Sequence, residues 1–293
     1  MTIHFYLRFH THFGQTLLVS GDIDALGNDK IADAFPLTYY NHEFWHGSIE
    51  LINEKEIDSI NYRYLLHNND GTQIVEGEND RIIDINYSEV KQLVLIDTWN
   101  YAGTIENAFY TQPFRQSIFS SVNKNEKPLK HITHEFRVKA PLLKKNELLF
   151  ITGSDKTLQE WDIKKPLLLT QEGNWHTIKL NFKKDIFPLS YKYGIYNVKE
   201  RQIQSFETRK NRTLTEDVSK KKITILHDGF IDIHRTWKGA GVAVPVFSLR
   251  SKNSFGVGEF TDIKLLIDWA KQTGLKLVQI LPVNDTSATN TWL

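Results

Sequence analysis

A chain of 293 residues with 36 Lys+Arg against 35 Asp+Glu has no general electrostatic drive toward nucleic acid or an anionic membrane. It holds no cysteine, which excludes disulfides, thiolate zinc sites, iron–sulfur clusters and cysteine nucleophiles. Aromatic residues reach 12%, a level that suits sandwich cores or stacking surfaces for a neutral ligand, and the length predicts two or three domains.

Met1 to Phe13 alternates and carries Arg8 and His10, so neither a signal peptide nor a membrane span is expected. The first 230 or so residues then read as short strands rich in β-branched and aromatic residues. Residues 3–9, 16–20, 44–51, 60–66 and 93–97 are such strands, divided by turns such as Asn68-Asn-Asp-Gly71. Regular short strands of this kind predict a β-sandwich.

The region repeats itself. Trp45 is echoed by Trp175, Tyr62-Arg63-Tyr64 by Tyr191-Lys192-Tyr193, Glu76 by Glu207 and Asp97 by Asp228, at offsets of 129 to 131. A near-constant offset across such landmarks predicts two copies of one module. The expected boundaries are 1–101 and 131–232, with a polar connector over 102–130, and each module is long enough to fold alone. From 233 to 293 the texture changes. Residues 241–247 and 275–281 read as strands buried on both faces. A helix lies between them, with Thr261 or Asp262 at its N-cap, Ile263, Leu266, Ile267 and Ala270 on one face, and Gly274 at its stop.

His42-Glu-Phe-Trp-His46 matches a zinc-protease motif in letters only, because its flanks read as turn and strand and the chemistry needs a helix. His131 and His134 are expected at strand edges. Gly256-Val-Gly258 lacks the third glycine of a dinucleotide loop and reads as a turn before the helix. No metal and no cofactor are expected. Trp45 and Trp175 stand within strands and are expected in cores. Trp161 follows Leu158-Gln-Glu in a polar turn, and Phe206 precedes a polar loop; with Lys192 and Asn211 they suit a sugar platform.

These residues resemble the starch-binding modules of carbohydrate-binding module family 20. Copy two has Leu158-Gln-Glu-Trp161, Trp175, Tyr191-Lys192-Tyr193, Phe206-Glu207 and Asn211-Arg212. Copy one has Leu26-Gly27, Trp45, Tyr62-Arg63-Tyr64 and Asp97-Thr98-Trp99, but Asp29 and Val75 where the platform rings belong. The resemblance implies a main sugar site of Trp161, Lys192, Phe206, Glu207 and Asn211. It implies a second site drawing on Phe13, Tyr39 and Tyr40 in copy one. Residues 239–250, 254–260 and 277–286, the last ending Asn-Asp-Thr, look like the start of glycoside hydrolase family 77, the 4-α-glucanotransferases. The fold expected is mainly β: two immunoglobulin-like β-sandwich modules in tandem, then the first βαβ unit of a (β/α)8 TIM barrel, the chain stopping early in that barrel.

The activity implied is transfer of α-1,4-glucan segments by a retaining double displacement, with both carboxylates on later barrel strands and no catalytic residue in these 293. The fragment alone is then expected to bind α-glucans such as maltodextrin, starch or glycogen without turnover. Phe255 is the candidate to border the active-site cleft, and a cytoplasmic setting is expected. The alternative is a stand-alone glucan-binding protein without catalysis.

Overall fold

The computed structural model describes all residues except 53–56, 78–80, 86, 88, 112, 113, 115–130, 217, 284–286, 289, 290 and 293. Much of the expected connector and the Asn284-Asp285-Thr286 ending therefore lie outside the described residues. The chain divides into two compact units, Met1–His234 and Arg235–Leu293.

In the first unit, module 1 consists of β1 (Thr2–Arg8), β2 (Thr16–Gly21), β3 (Phe35–Pro36), β4 (Thr38–Tyr39), β5 (Phe44–Glu50), β6 (Ser59–His67), β7 (Gln73–Val75), β8 (Arg81–Asp84) and β9 (Gln92–Thr98). Module 2 repeats the order as β10 (His134–Lys139), β11 (Glu147–Gly153), β12 (Leu167–Leu168), β13 (Thr170–Glu172), β14 (Trp175–Leu180), β15 (Leu189–Asn197), β16 (Gln202–Phe206), β17 (Arg212–Leu214) and β18 (Lys222–Phe230). The unit is mainly β, as expected. Alternation buries one row of each strand: Ile3, Phe5 and Leu7 on β1 and Tyr191, Tyr193 and Ile195 on β15 are fully or almost fully buried.

The modules are not two independent sandwiches. Their first sheets are one eight-stranded sheet, ordered β13-β14-β10-β18-β9-β1-β5-β4. The join is a parallel pairing of the two closing strands, Gln92↔Lys222 through Asp97↔His227. A parallel pair in register turns the two sandwiches onto opposite faces of the shared sheet. Leu93 and Leu95 of β9 and Ile223 and Ile225 of β18 enter the core of module 1. Val94, Ile96 and Leu226 enter the core of module 2. Each closing strand thus belongs to both cores, which is why residues 93–97 and 223–228 are buried without alternation.

Buried polar groups fix the join. The Asp97 carboxylate accepts from Tyr62 Oη at 2.8 Å and Tyr64 Oη at 2.6 Å within its module. It also meets His227 Nδ1 of the other module at 2.6 Å. Arg137 of module 2 donates to the Ile82 carbonyl of module 1 at 2.6 Å and to Glu135 Oε1 at 2.6 Å. Module 2 repeats the tyrosine pair, with Tyr191 Oη and Tyr193 Oη donating to Asp228. His134 corrects the expectation of a strand-edge residue. It is fully buried, stacked on Phe187 and bonded to Thr133 Oγ1 and the Glu216 carbonyl.

The second unit contains β19 (Gly241–Val244), α1 (Asp262–Thr273) and β20 (Leu277–Ile280), with β19 and β20 parallel. Gly274 ends α1 in the left-handed conformation, its N–H reaching the Ala270 and Lys271 carbonyls. Ile263, Leu266 and Ala270 turn inward, while Ile267 is exposed, unlike the expectation. Both strands are largely exposed rather than buried on two faces, since within this unit they pair only with each other among the described residues.

Candidate functional site

The outer face of the module 2 sheet β12-β11-β15-β16 carries the candidate site. Tyr191, Tyr193 and Ile195 of β15 point into the core, so Lys192 and Gly194 between them face outward. Gly194 is opposite Phe150 on one side and Phe206 on the other. A Cβ at Gly194 would lie 2.5 Å from the Phe150 ring, so only glycine lets that ring lie across the strand. Phe206 then packs edge-on against Phe150, with centroids 5.4 Å apart, and leaves its other side exposed.

Lys192 stands opposite Thr152. Extending the register Tyr191↔Arg212 by one residue puts Asn211 beside Lys192. Thr152 Oγ1 donates to the Leu158 carbonyl, which ties the turn bearing Trp161 to the same face. Sheet register and this tether therefore bring Trp161, Lys192, Phe206 and Asn211 to one surface, with both rings 37% exposed.

The Trp161 turn is held against its own preference. Gln159, Glu160 and Trp161 all have positive φ, at 67°, 47° and 63°. Left-handed conformations of non-glycine residues are costly and collect at functional sites. Module 1 makes the same turn with Gly27, Asn28 and Asp29, at 84°, 49° and 62°. The backbone device is common to both copies, and only module 2 mounts a ring on it. Gln159→Gly, which copies Gly27, is expected to raise the unfolding free energy by about 0.5–1 kcal/mol and leave sugar affinity unchanged, checked by urea denaturation with and without maltoheptaose.

Glu207 does not join this surface. It is buried, its oxygens accept from Arg212 Nε and Nη2 at 3.1 and 2.8 Å, and Oε1 also accepts from the Tyr193 N–H. Arg212 Nη1 continues to the Asp228 carbonyl at 3.0 Å. Burial acts to lower the Arg212 pKa, but Asp228 and Glu207 outweigh it and drive it up. Glu207 therefore pins the loop that carries Phe206 and Asn211, and a carboxylate so occupied has no edge left for a sugar. Module 1 repeats the pin with Glu76 and Arg81 at 2.7 Å. The equal five-residue spacing of Glu76/Arg81 and Glu207/Arg212 was the signal for it.

In module 1 the positions that match Phe150, Gly194 and Phe206 are Leu18, Leu65 and Val75, with no ring. Phe13 stands fully exposed in the loop before β2, while Tyr39 and Tyr40 pack edge-on against Trp45 and Tyr6 on the sheet edge. Trp45 and Trp175 are core residues, as expected. The zinc-like motif has a strand beneath it: Glu43 pairs with Arg8 at 2.7 Å and His46 with His4 at 3.3 Å. Phe255 is exposed in the second unit, before Gly256.

Comparison with known proteins matches residues 1–94 and 132–225 to the starch binding domain family, and residues 244–292 to the 4-alpha-glucanotransferase family. The chain is similar over its whole length to the 4-alpha-glucanotransferase DPE2 of Oryza sativa subsp. japonica, at 32% identity, and spans 32% of that protein. Its last part is 50% identical over 48 residues to a 4-alpha-glucanotransferase of Chlamydia trachomatis serovar D, which is 16% of this chain and 9% of that one. Among solved structures, a glycoside hydrolase family 15 glucoamylase from Hypocrea jecorina aligns at 30% identity over 34% of this chain and 17% of its own, with a TM-score of 0.30. A family 26 module of Eubacterium rectale Amy13K in complex with maltoheptaose aligns at 9% identity over 78% and 93%, with a TM-score of 0.23.

Proposed function

Since the chain belongs to the starch binding domain family, carrying two copies followed by a 4-alpha-glucanotransferase segment, we propose that module 2 grips α-glucans for a 4-α-glucanotransferase. The observation that carries this is the exposed Trp161, held in a strained turn on the same face as the exposed Phe206. Two ring faces accept the C–H faces of neighbouring glucose residues, and Lys192 and Asn211 beside them supply donors and an acceptor for hydroxyls. Maltodextrin, starch and glycogen all present such chains.

The whole protein, of which this chain spans about a third by comparison with the rice relative, would transfer α-1,4-glucan segments by a retaining double displacement. We assign neither carboxylate of that reaction here. Asp262 is taken up at the start of α1, accepting from Ser254 Oγ at 2.8 Å and the Glu259 N–H at 2.9 Å. The chemistry asks for no cofactor. A cytoplasmic setting goes with this reading, and the cysteine-free composition fits it. Calorimetric titration of the 293-residue chain with maltoheptaose tests the binding directly, and saturable heat is expected.

A further inference from the structure

Module 1 has a hollow of its own. It lies where β1 and β9 end, at the opposite end of the module from the Asp29 turn, because β2 runs back from there before that turn. It measures about 310 Å³ and is walled by Phe9, Trp99 and Tyr101, with Arg8, Glu43, His10 and His42 at its rim. The rings form one curved surface: Phe9 lies 4.9 Å from Trp99 and 6.2 Å from Tyr101, tilted at 51° and 43°.

Trp99 belongs to the module 1 core and Phe9 packs against it, yet the twin module does without the rings of Phe9 and Tyr101. At the 131-residue offset that relates Asp97 to Asp228, module 2 has Ala140 in place of Phe9 and Asp232 in place of Tyr101. Trp99 alone has a ring counterpart, Phe230, and there the space is closed. The Lys139 ammonium lies 5.6 Å from the Phe230 ring and 4.7 Å from the Trp175 ring, and Tyr110 packs 6.1 Å from Phe230. The cavity left beside them is about 10 Å³. Module 1 therefore keeps open, beside Phe9, Trp99 and Tyr101, a place that its twin fills in.

The charges at the rim are matched to each other. Arg8 Nε donates to Glu43 Oε1 at 2.7 Å and Nη1 to Thr98 Oγ1 at 3.1 Å. With that guanidinium engaged, the hollow suits a neutral guest better than an anion. It offers ring faces beside polar edges: the Tyr101 hydroxyl, two imidazoles and the second Glu43 oxygen. That is the chemistry of a pyranose. Its volume is at the small end of ligand sites, which run from about 300 to 1,000 Å³, so it suits a chain end rather than a long stretch.

We propose that this hollow is a second α-glucan subsite, taking the end of a glucan chain in module 1. It rests on the α-glucan reading of module 2, and none of Phe13, Tyr39 or Tyr40 lines it. Maltoheptaose is titrated calorimetrically into the intact chain, Trp161→Ala, and Trp161→Ala combined with Tyr101→Ala. Tyr101 is 62% exposed, so its loss leaves the fold standing. The expected result is weak saturable binding by Trp161→Ala that falls about tenfold or more when Tyr101→Ala is added. Binding by the intact chain that vanishes in Trp161→Ala, or residual affinity unchanged by Tyr101→Ala, overturns the subsite and leaves module 2's role intact. No binding by the intact chain overturns both.

Discussion

Asp97→Ala is expected to lower the unfolding free energy by about 3–5 kcal/mol and to do so for both modules in one transition. The carboxylate is fully buried and serves three donors, Tyr62, Tyr64 and His227. Its removal leaves two buried hydroxyls and the His227 Nδ1 unmatched at the seam where the closing strands pair. Because β9 and β18 line both cores, the damage cannot stay in module 1. Urea denaturation followed by tryptophan fluorescence and by far-ultraviolet circular dichroism checks it. Coincident curves at a lower midpoint are expected; a separate transition in which module 2 survives unchanged would refute the shared sheet.

The same pair makes stability fall in acid. Burial raises the Asp97 carboxyl, but attraction to His227 and Arg81 and the hydrogen bonds from His227 and Tyr64 outweigh it and hold the pKa at about 2. An ordinary Asp titrates near 3.8, so this contribution is complete above that value and is lost as pH falls through about 2. Burial lowers His227 below its ordinary 6.5, more than Asp97 restores. The unfolded imidazole therefore takes its proton first, and stability begins to decline once pH drops below 6.5. In Asp97→Ala the part of this decline due to the carboxyl is absent.

Trp161→Ala is expected to weaken maltoheptaose binding about tenfold or more, and by more than any single change in module 1. The ring lies on the surface, and alanine keeps the turn's backbone demand without adding a new one, so the midpoint of unfolding is expected to hold. Phe206→Ala is a less clean test, because that ring also covers Phe150. Phe13→Ala serves as the comparison: Phe13 stands alone at a loop tip, and its loss is expected to cost little. Equal losses at Trp161 and Phe13 would refute the ranking.

Much of this was legible in the residues. The paired landmarks at offsets near 131 marked two modules, and the alternation of 3–9 and 60–66 placed their strands within a residue or two of β1 and β6. Trp161 stood out because a tryptophan in a polar turn has no core to enter. The join was harder to see. Leu93-Val-Leu-Ile96 is a run without polar alternation, and Ile223-Thr-Ile-Leu226 is broken only by Thr224, the pattern of strands covered on both faces. A run of that kind in a sandwich's closing strand says that something else covers its outer side, but not that the cover is the other module's closing strand. The same pattern at 241–247 forms a strand only as far as Val244, and the residues of that strand are exposed or half-buried. Glu207 misled for a different reason: it sits next to Phe206 in sequence, yet strand alternation sends it inward to Arg212.

The most direct test of the central claim is calorimetric titration of the intact chain with maltoheptaose near pH 7, repeated on Trp161→Ala. One dominant saturable site that Trp161→Ala weakens is the predicted result. Absence of binding, or a dominant site that Trp161→Ala leaves unchanged, would contradict the assignment of glucan binding to the Trp161–Phe206 face of module 2.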